Sequence, residues 1–136
     1  MDVEVGMQIP VRTVERVGVA EMKTMAALLS DPNPIHWDVA ATKALGMGYR
    51  TVNQGPTNMA YVMNMLVAWV GNEPGRLRAI NLRFMANVFD GDRVTAGGRV
   101  TGIRDIAGER LADCDVWLDV DGAGRALAGT ATVALP

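Results

Sequence analysis

The chain has 136 residues, 49% hydrophobic and 21% charged, with a formal net charge of -2. These values fit one globular domain, residues 1–136, with enough apolar surface for a core, and they exclude a disordered or low-complexity chain. No basic run is present to grip nucleic acid and no polybasic patch to hold a membrane; the longest apolar stretch, near residues 59–70, is too short to span a bilayer.

The lone cysteine, Cys114, cannot form an internal disulfide, and one cysteine with one histidine cannot build a Cys/His metal site. Met1 to Gly6 is acidic and carries no signal-peptide core, so a cytoplasmic protein is expected.

In chain order, residues 9–16 read as a short strand. Val17 to Ser30 carries apolar residues at Val19, Met22, Met25, Ala26 and Leu29, the spacing of one buried helical face. That helix must stop by Asp31, because Pro32 disfavours helical geometry in the residue before it. A loop, Asp31–Trp37, follows. Asp38 can cap a short helix from Val39 to Leu45, which Gly46 ends. Residues 46–51 form a flexible connection.

Pro56 suits the first turn of a helix over residues 57–70, where its missing N–H costs nothing. Met59, Ala60, Met63, Leu66, Val67 and Val70 make an apolar stripe. Tyr61, Val62, Met65 and Trp69 widen it nearly all round, so the rest of the protein should wrap this helix. Met22, Met25, Met59, Met63 and Met65 serve either as adaptable core filler or as lining for an aliphatic ligand.

After the Glu73-Pro74-Gly75 turn the period changes to two. Four strands are expected: Ile80 to Val88, Val94 to Val100, Arg110 to Val120, and Leu127 to Val133, joined by turns at Asp90-Gly91-Asp92 and Asp121-Gly122. Short turns predict an antiparallel meander, and the long helix is the available cover for its apolar face. The fold class is α+β, a sheet wrapped around a central helix.

The chemistry concentrates in Asp31-Pro32-Asn33-Pro34-Ile35-His36-Trp37-Asp38, which holds the only histidine. Two prolines stiffen a loop presenting a carboxylate and an imidazole, a plausible acid/base pair for handling water. From the residues alone, a proline turn with a surface histidine is an equal alternative.

This segment resembles the MaoC-like hydratase/dehydratase family on the hotdog fold. Its motif is a carboxylate, any residue, Asn-Pro-Ile/Leu-His, any residue and Asp, and the chain matches it throughout. Ala44, Gly46, Gly55, Asn81-Leu82-Arg83-Phe84 and Phe89-Asp90-Gly91-Asp92 extend the similarity over nearly the whole chain.

The resemblance implies a hotdog fold and an (R)-specific enoyl-thioester hydratase, or the same enzyme run as a 3-hydroxyacyl-thioester dehydratase. It implies that Asp31 and His36 hold and activate the water, that Asn33 shapes the loop, and that Gly55 gives a backbone N–H to the thioester carbonyl oxygen. No metal or redox cofactor is implied; coenzyme A or a carrier protein enters as part of the substrate.

The family usually has Ala-His-Gly where this chain has Asn53-Gln54-Gly55, and a glycine where Ser30 precedes the aspartate. Gln54 keeps hydrogen-bonding capacity but cannot titrate. Trp37, Gln54 and Tyr61 join Asn33 as candidate substrate contacts, with loop or core packing the alternative for Trp37 and Tyr61. Arg76, Arg78 and Arg83 either meet a phosphate of the thiol carrier or form surface ion pairs. Cys114 reads as an inert core residue.

An exposed edge strand and the family habit of edge-to-edge pairing predict a homodimer or higher homo-oligomer, with a heterodimer also open. A hotdog thioesterase and a non-catalytic acyl-binding subunit are the competing functions.

Overall fold

The computed structural model describes residues 1–136. The elements run β1 (Gln8–Val14), α1 (Val19–Leu29), a 3-10 turn (Pro34–His36), α2 (Val39–Ala44), α3 (Gly55–Trp69), a second 3-10 turn (Pro74–Arg76), β2 (Leu77–Phe84), β3 (Val94–Ile106), β4 (Glu109–Val120) and β5 (Gly124–Ala134). The five strands form one antiparallel sheet in the order β1-β3-β4-β5-β2.

Alternation decides which face is covered. In β4, Ala112, Cys114, Val116, Leu118 and Val120 are buried while Asp113, Asp115, Trp117 and Asp119 face outward. Apolar side chains on one face of a pleated strand need a cover. α3 supplies it, touching all five strands, and Val62, Met65, Leu66 and Val70 join Ile9, Met22, Val94, Leu118 and Leu127 in one core. Each such side chain taken out of water stabilises the fold by roughly 1.5–3 kcal/mol.

The outward face is held by cross-strand ion pairs. Arg104 Nε lies 2.7 Å from Asp113, Arg125 Nε lies 2.9 Å from Asp119, and Arg93 reaches both Glu15 and Asp121. At these exposed positions water and salt screen the charges, so the pairs add little to stability.

Three expectations change. The strands are not a simple meander: only β3, β4 and β5 are. β2 ends at Phe84, short of Val88, and lies antiparallel to β5 at the sheet edge. The backbone between β2 and β3 then crosses the chain, with Met85 N–H donating to Ala126 O and Asn53 N–H donating to Val88 O.

Second, α3 begins at Gly55, just ahead of the expected first turn at Pro56, so Gly55 is the first helical residue and Gln54 the N-cap. Third, the apolar stripe turns. Val62, Met65 and Leu66 are fully buried, whereas Met59, Met63 and Val67 are half-buried and Leu29 of α1 is exposed. Among the methionines, Met22 and Met65 are core; Met25 is half-buried.

Candidate active site

The loop that carries the acid/base pair is built by its own side chains. α1 closes at Ser30, whose φ of 51° is left-handed and whose N–H donates to Ala26 O and Ala27 O. Asp31 N–H then donates to Ala26 O at 2.9 Å, so the carboxylate hangs from the end of α1.

Asp31 Oδ1 accepts from Asn33 N–H at 3.0 Å, and Asn33 Oδ1 accepts from Ile35 N–H at 3.3 Å. These two side-chain turns, with Pro32 and Pro34, start the 3-10 turn that delivers His36. Asp38 Oδ1 caps α2 by accepting from Ala40 N–H at 2.8 Å, as its position predicts.

His36 is buried, yet its ring has a polar neighbour at each nitrogen. Nδ1 donates to Val52 O at 2.6 Å, and Nε2 lies 3.1 Å from Asp31 Oδ2. The carbonyl of Val52 accepts only, so Nδ1 carries a proton, and Nε2 is the ring nitrogen that faces the carboxylate. The side chain of Asp31 is 31% exposed against 9% for His36. The pair therefore opens to solvent through the carboxylate, with the imidazole held behind it.

Val52 ties this pair to α3. Its N–H donates to Ile35 O at 2.9 Å, so the loop and the strand-like segment at Val52 bond in both directions. Three residues on, Gly55 opens α3, at most about 10 Å away by chain length.

As the first helical residue Gly55 has no intrahelical acceptor for its N–H, and no other group of the chain accepts it. A free N–H at the positive end of a helix dipole is an anion-stabilising donor. A Cβ at Gly55 would lie 3.2 Å from the Phe84 ring, so glycine also leaves room on the side facing β2.

The other candidates divide. Asn33 is exposed, and its side chain is spent on the loop turn. Trp37 is half-buried and follows the 3-10 turn, its N–H donating to Pro34 O. Gln54 is 1% exposed and turned inward, with Nε2 donating to Met22 O at 2.7 Å. Tyr61 is half-buried; burial pushes its phenol above the ordinary value, and its oxygen accepts from Asn53 Nδ2 at 3.3 Å.

Known proteins share this chain's sequence pattern and fold. A MaoC-like domain matches residues 3–117. An (R)-specific enoyl-CoA hydratase of Aeromonas caviae is 32% identical over 135 residues, 98% of this chain and 96% of its own length. The solved (R)-hydratase of A. caviae involved in PHA biosynthesis superposes with a TM-score of 0.85 at 30% identity, covering 98% of each chain. The chain belongs to the MaoC-like family.

A structure of the ChsH1–ChsH2 complex from Mycobacterium tuberculosis has a TM-score of 0.83 at 20% identity, over 99% of this chain and 100% of that one, and shares the fold. The hotdog architecture of this MaoC-like protein is thus the one its sequence motif implies.

Two polar groupings are not read from the sequence, although Gln54 itself is. Asn53 and Asn58 form a buried pair, Asn53 Nδ2 donating to Asn58 Oδ1 at 2.7 Å beside Tyr61. Thr51 Oγ1, Thr57 Oγ1 and Gln54 Oε1 are buried without a hydrogen-bond partner in the chain. Their gathering within residues 51–58 is the kind of departure that marks a working site in an otherwise satisfied interior. Five polar residues inside ten, Thr51 to Ala60, flanking a helix that otherwise reads as core, were the available signal.

The arginines answer differently. Arg76 Nε lies 2.8 Å from Glu73 and its guanidinium also donates to Leu135 O, while Arg78 pairs with Glu109. Arg83 is exposed on the edge strand. Cys114 is buried, and burial pushes its thiol up to about 12, so it is inert as a nucleophile. No three His, Cys, Asp or Glu side chains converge as a metal-binding set. The largest surface cavity, about 430 Å3, lies on the outer sheet face beside Arg99, Trp117 and Arg125 and does not include Asp31 or His36.

Proposed function

We propose that this protein adds water across the double bond of trans-2-enoyl thioesters to give (R)-3-hydroxyacyl thioesters, or runs the reverse dehydration. The observation that carries the proposal is the Asp31–His36 pair at 3.1 Å, joined through Val52 to the segment that ends in the free N–H of Gly55. Similarity to an (R)-specific enoyl-CoA hydratase supports the substrate class and the stereochemistry.

Adding water to a conjugated thioester moves an electron pair from the carbon–carbon double bond toward the carbonyl oxygen. The oxygen of water forms its bond to Cβ while one of its protons leaves. Asp31 orients the water, and His36 Nε2 takes that proton as general base. The resulting imidazolium sits between the Val52 carbonyl and the Asp31 carboxylate, both of which favour its charge.

Negative charge gathering on the thioester oxygen is met by the Gly55 N–H and the α3 dipole; one such donor is worth about 3–4 kcal/mol of barrier. The proton held by His36 then passes to Cα, which closes the balance. The step needs no electron donor or acceptor, and the thiol of the carrier stays bonded to the acyl group.

We also read β2 as the edge that meets a second chain, another copy or a related one. Both edge strands carry a register shift, but β1 also carries Pro10, which blunts that edge for pairing, and β2 has no proline. Light scattering at several concentrations checks this, with a dimer expected.

The test of function is incubation with crotonyl-CoA followed by mass analysis. Gain of one water supports hydration. Release of free coenzyme A would instead mark a thioesterase, and an unchanged thioester across short, long and branched acyl groups would mark a non-catalytic binding subunit.

A further inference from the structure

We propose that Gln54 is a positioning residue: its carboxamide fastens the first turn of α3 to α1 and thereby sets the Gly55 N–H against the Asp31–His36 pair. This rests on the function proposed above.

Gln54 stands next to Gly55, and at 1% exposure it has almost no surface to offer a substrate. Its amide points into the chain, where Nε2 donates to Met22 O, 32 residues earlier, at 2.7 Å. Met22 lies in the middle of α1. One turn further along that helix, Ala26 O accepts the N–H of Asp31 at 2.9 Å. The donor beside Gly55 and the backbone of Asp31 are thus fixed to the same rigid helix.

The other half of the pair has its own tether. His36 donates to Val52 O and Val52 N–H donates to Ile35 O. Asn53, between the two tethered residues, is pinned by its N–H to Val88 O at 2.7 Å. Asp31 reaches the start of α3 through Gln54 and Met22; His36 reaches it through Val52. Segment 52–55 is therefore where carboxylate, imidazole and helix N-terminus are brought into register.

The other half of the amide makes no hydrogen bond within the chain. Gln54 Oε1 is buried with no partner, a cost an apolar side chain of similar length would avoid. What an apolar residue lacks is the donor to Met22 O. The residue type is accounted for by that one N–H.

The measurement is steady-state kinetics on crotonyl-CoA for wild type, Gln54→Met and Gln54→His. Methionine matches the length and removes the donor; histidine keeps an N–H. Misplacement of about 1 Å can cost 100-fold, so Gln54→Met is expected to lower kcat roughly 10- to 100-fold with KM within about twofold, and Gln54→His to restore kcat.

A kcat for Gln54→Met within about twofold of wild type overturns the proposal, as does an equal loss in Gln54→His. Should Gln54→Met not fold, Gln54→His decides alone: a kcat near wild type supports the role and a tenfold loss overturns it. NMR of the free protein separates this inference from the functional reading. Gln54→Met should shift the amide signals of both Gly55 and Asp31, and unmoved signals overturn the linkage even if wild type turns over no enoyl thioester.

Discussion

His36 does two jobs that two substitutions can pull apart. Its Nδ1–H is the sole hydrogen-bond donor to the carbonyl of Val52, a residue only 4% exposed. Its Nε2 is the proposed base. Replacing His36 with alanine orphans that carbonyl, at about 1–3 kcal/mol, and opens a hole behind it. For a chain of this length roughly 3–5 °C of Tm accompanies each kcal/mol, so a fall of about 3–15 °C is expected.

Asparagine is different. Its Nδ2 falls near the position of the imidazole Nδ1 and can still donate to Val52, so the loss of stability should stay below about 1 kcal/mol. Neither variant can accept a proton from water. Both should lose about 100- to 10,000-fold in kcat, the usual share of a general base, or about 3–5 kcal/mol of barrier. Calorimetry gives the first quantity and the loss of enoyl absorbance gives the second. If His36→Asn keeps more than a tenth of wild-type kcat, the imidazole is not the base. If it melts as low as His36→Ala, the Val52 bond is not what holds the ring.

Other outcomes follow from the same geometry. Asp31→Asn keeps an oxygen for the Asn33 N–H, so it should fold normally yet lose at least about 100-fold in kcat by the same assay. Gly55→Ala should fold, because the Phe84 ring it would crowd is 51% exposed and can yield a few tenths of an ångström; turnover should drop with a rise in KM as the new methyl crowds the acyl oxygen.

Arg104 and Thr132 hold the Asp113 carboxyl below its ordinary value. A depressed folded-state pKa contributes stability above the unfolded value near 4 and loses it as pH falls through the folded one. Asp113→Asn should therefore cost less than about 1 kcal/mol at pH 7, and denaturant melts should show that deficit vanishing toward pH 3. Cys114 should resist a thiol reagent at pH 8 in the native protein and react at once in denaturant; labelling of the native form at the rate of a free thiol contradicts its burial.

How much of this was legible depends on whether a local rule decides the matter. Asp31 and His36 could be paired from sequence because Pro32, Pro34 and the Asn33 turn leave the loop few conformations, and the motif named the family. The alternation of β4 told which residues face inward, since a period of two permits only two faces.

Strand order was not legible. Ile80 to Phe84 alternates in the same way whether β2 meets β3 or β5, and the choice is made by the crossing backbone at Met85 and Val88, which has no period. The buried face of α3 was misplaced for the opposite reason: with apolar residues nearly all round, the stripe from Met59 to Val70 does not decide the face, and packing against the sheet selects Val62, Met65 and Leu66. Gln54 reads as a substrate contact from sequence because it stands beside Gly55 where the family usually has a histidine. Starting α3 at Gly55 puts the side chain against α1.

The proposed mechanism requires one water touching both Asp31 and His36, and an acyl oxygen on the Gly55 N–H. A crystal structure of Asp31→Asn soaked with crotonyl-CoA tests it most directly. The thioester oxygen is expected within about 3 Å of Gly55 N, with Cβ of the acyl chain facing residue 31 and His36 Nε2. An acyl group bound elsewhere, or a carbonyl turned away from the start of α3, contradicts it.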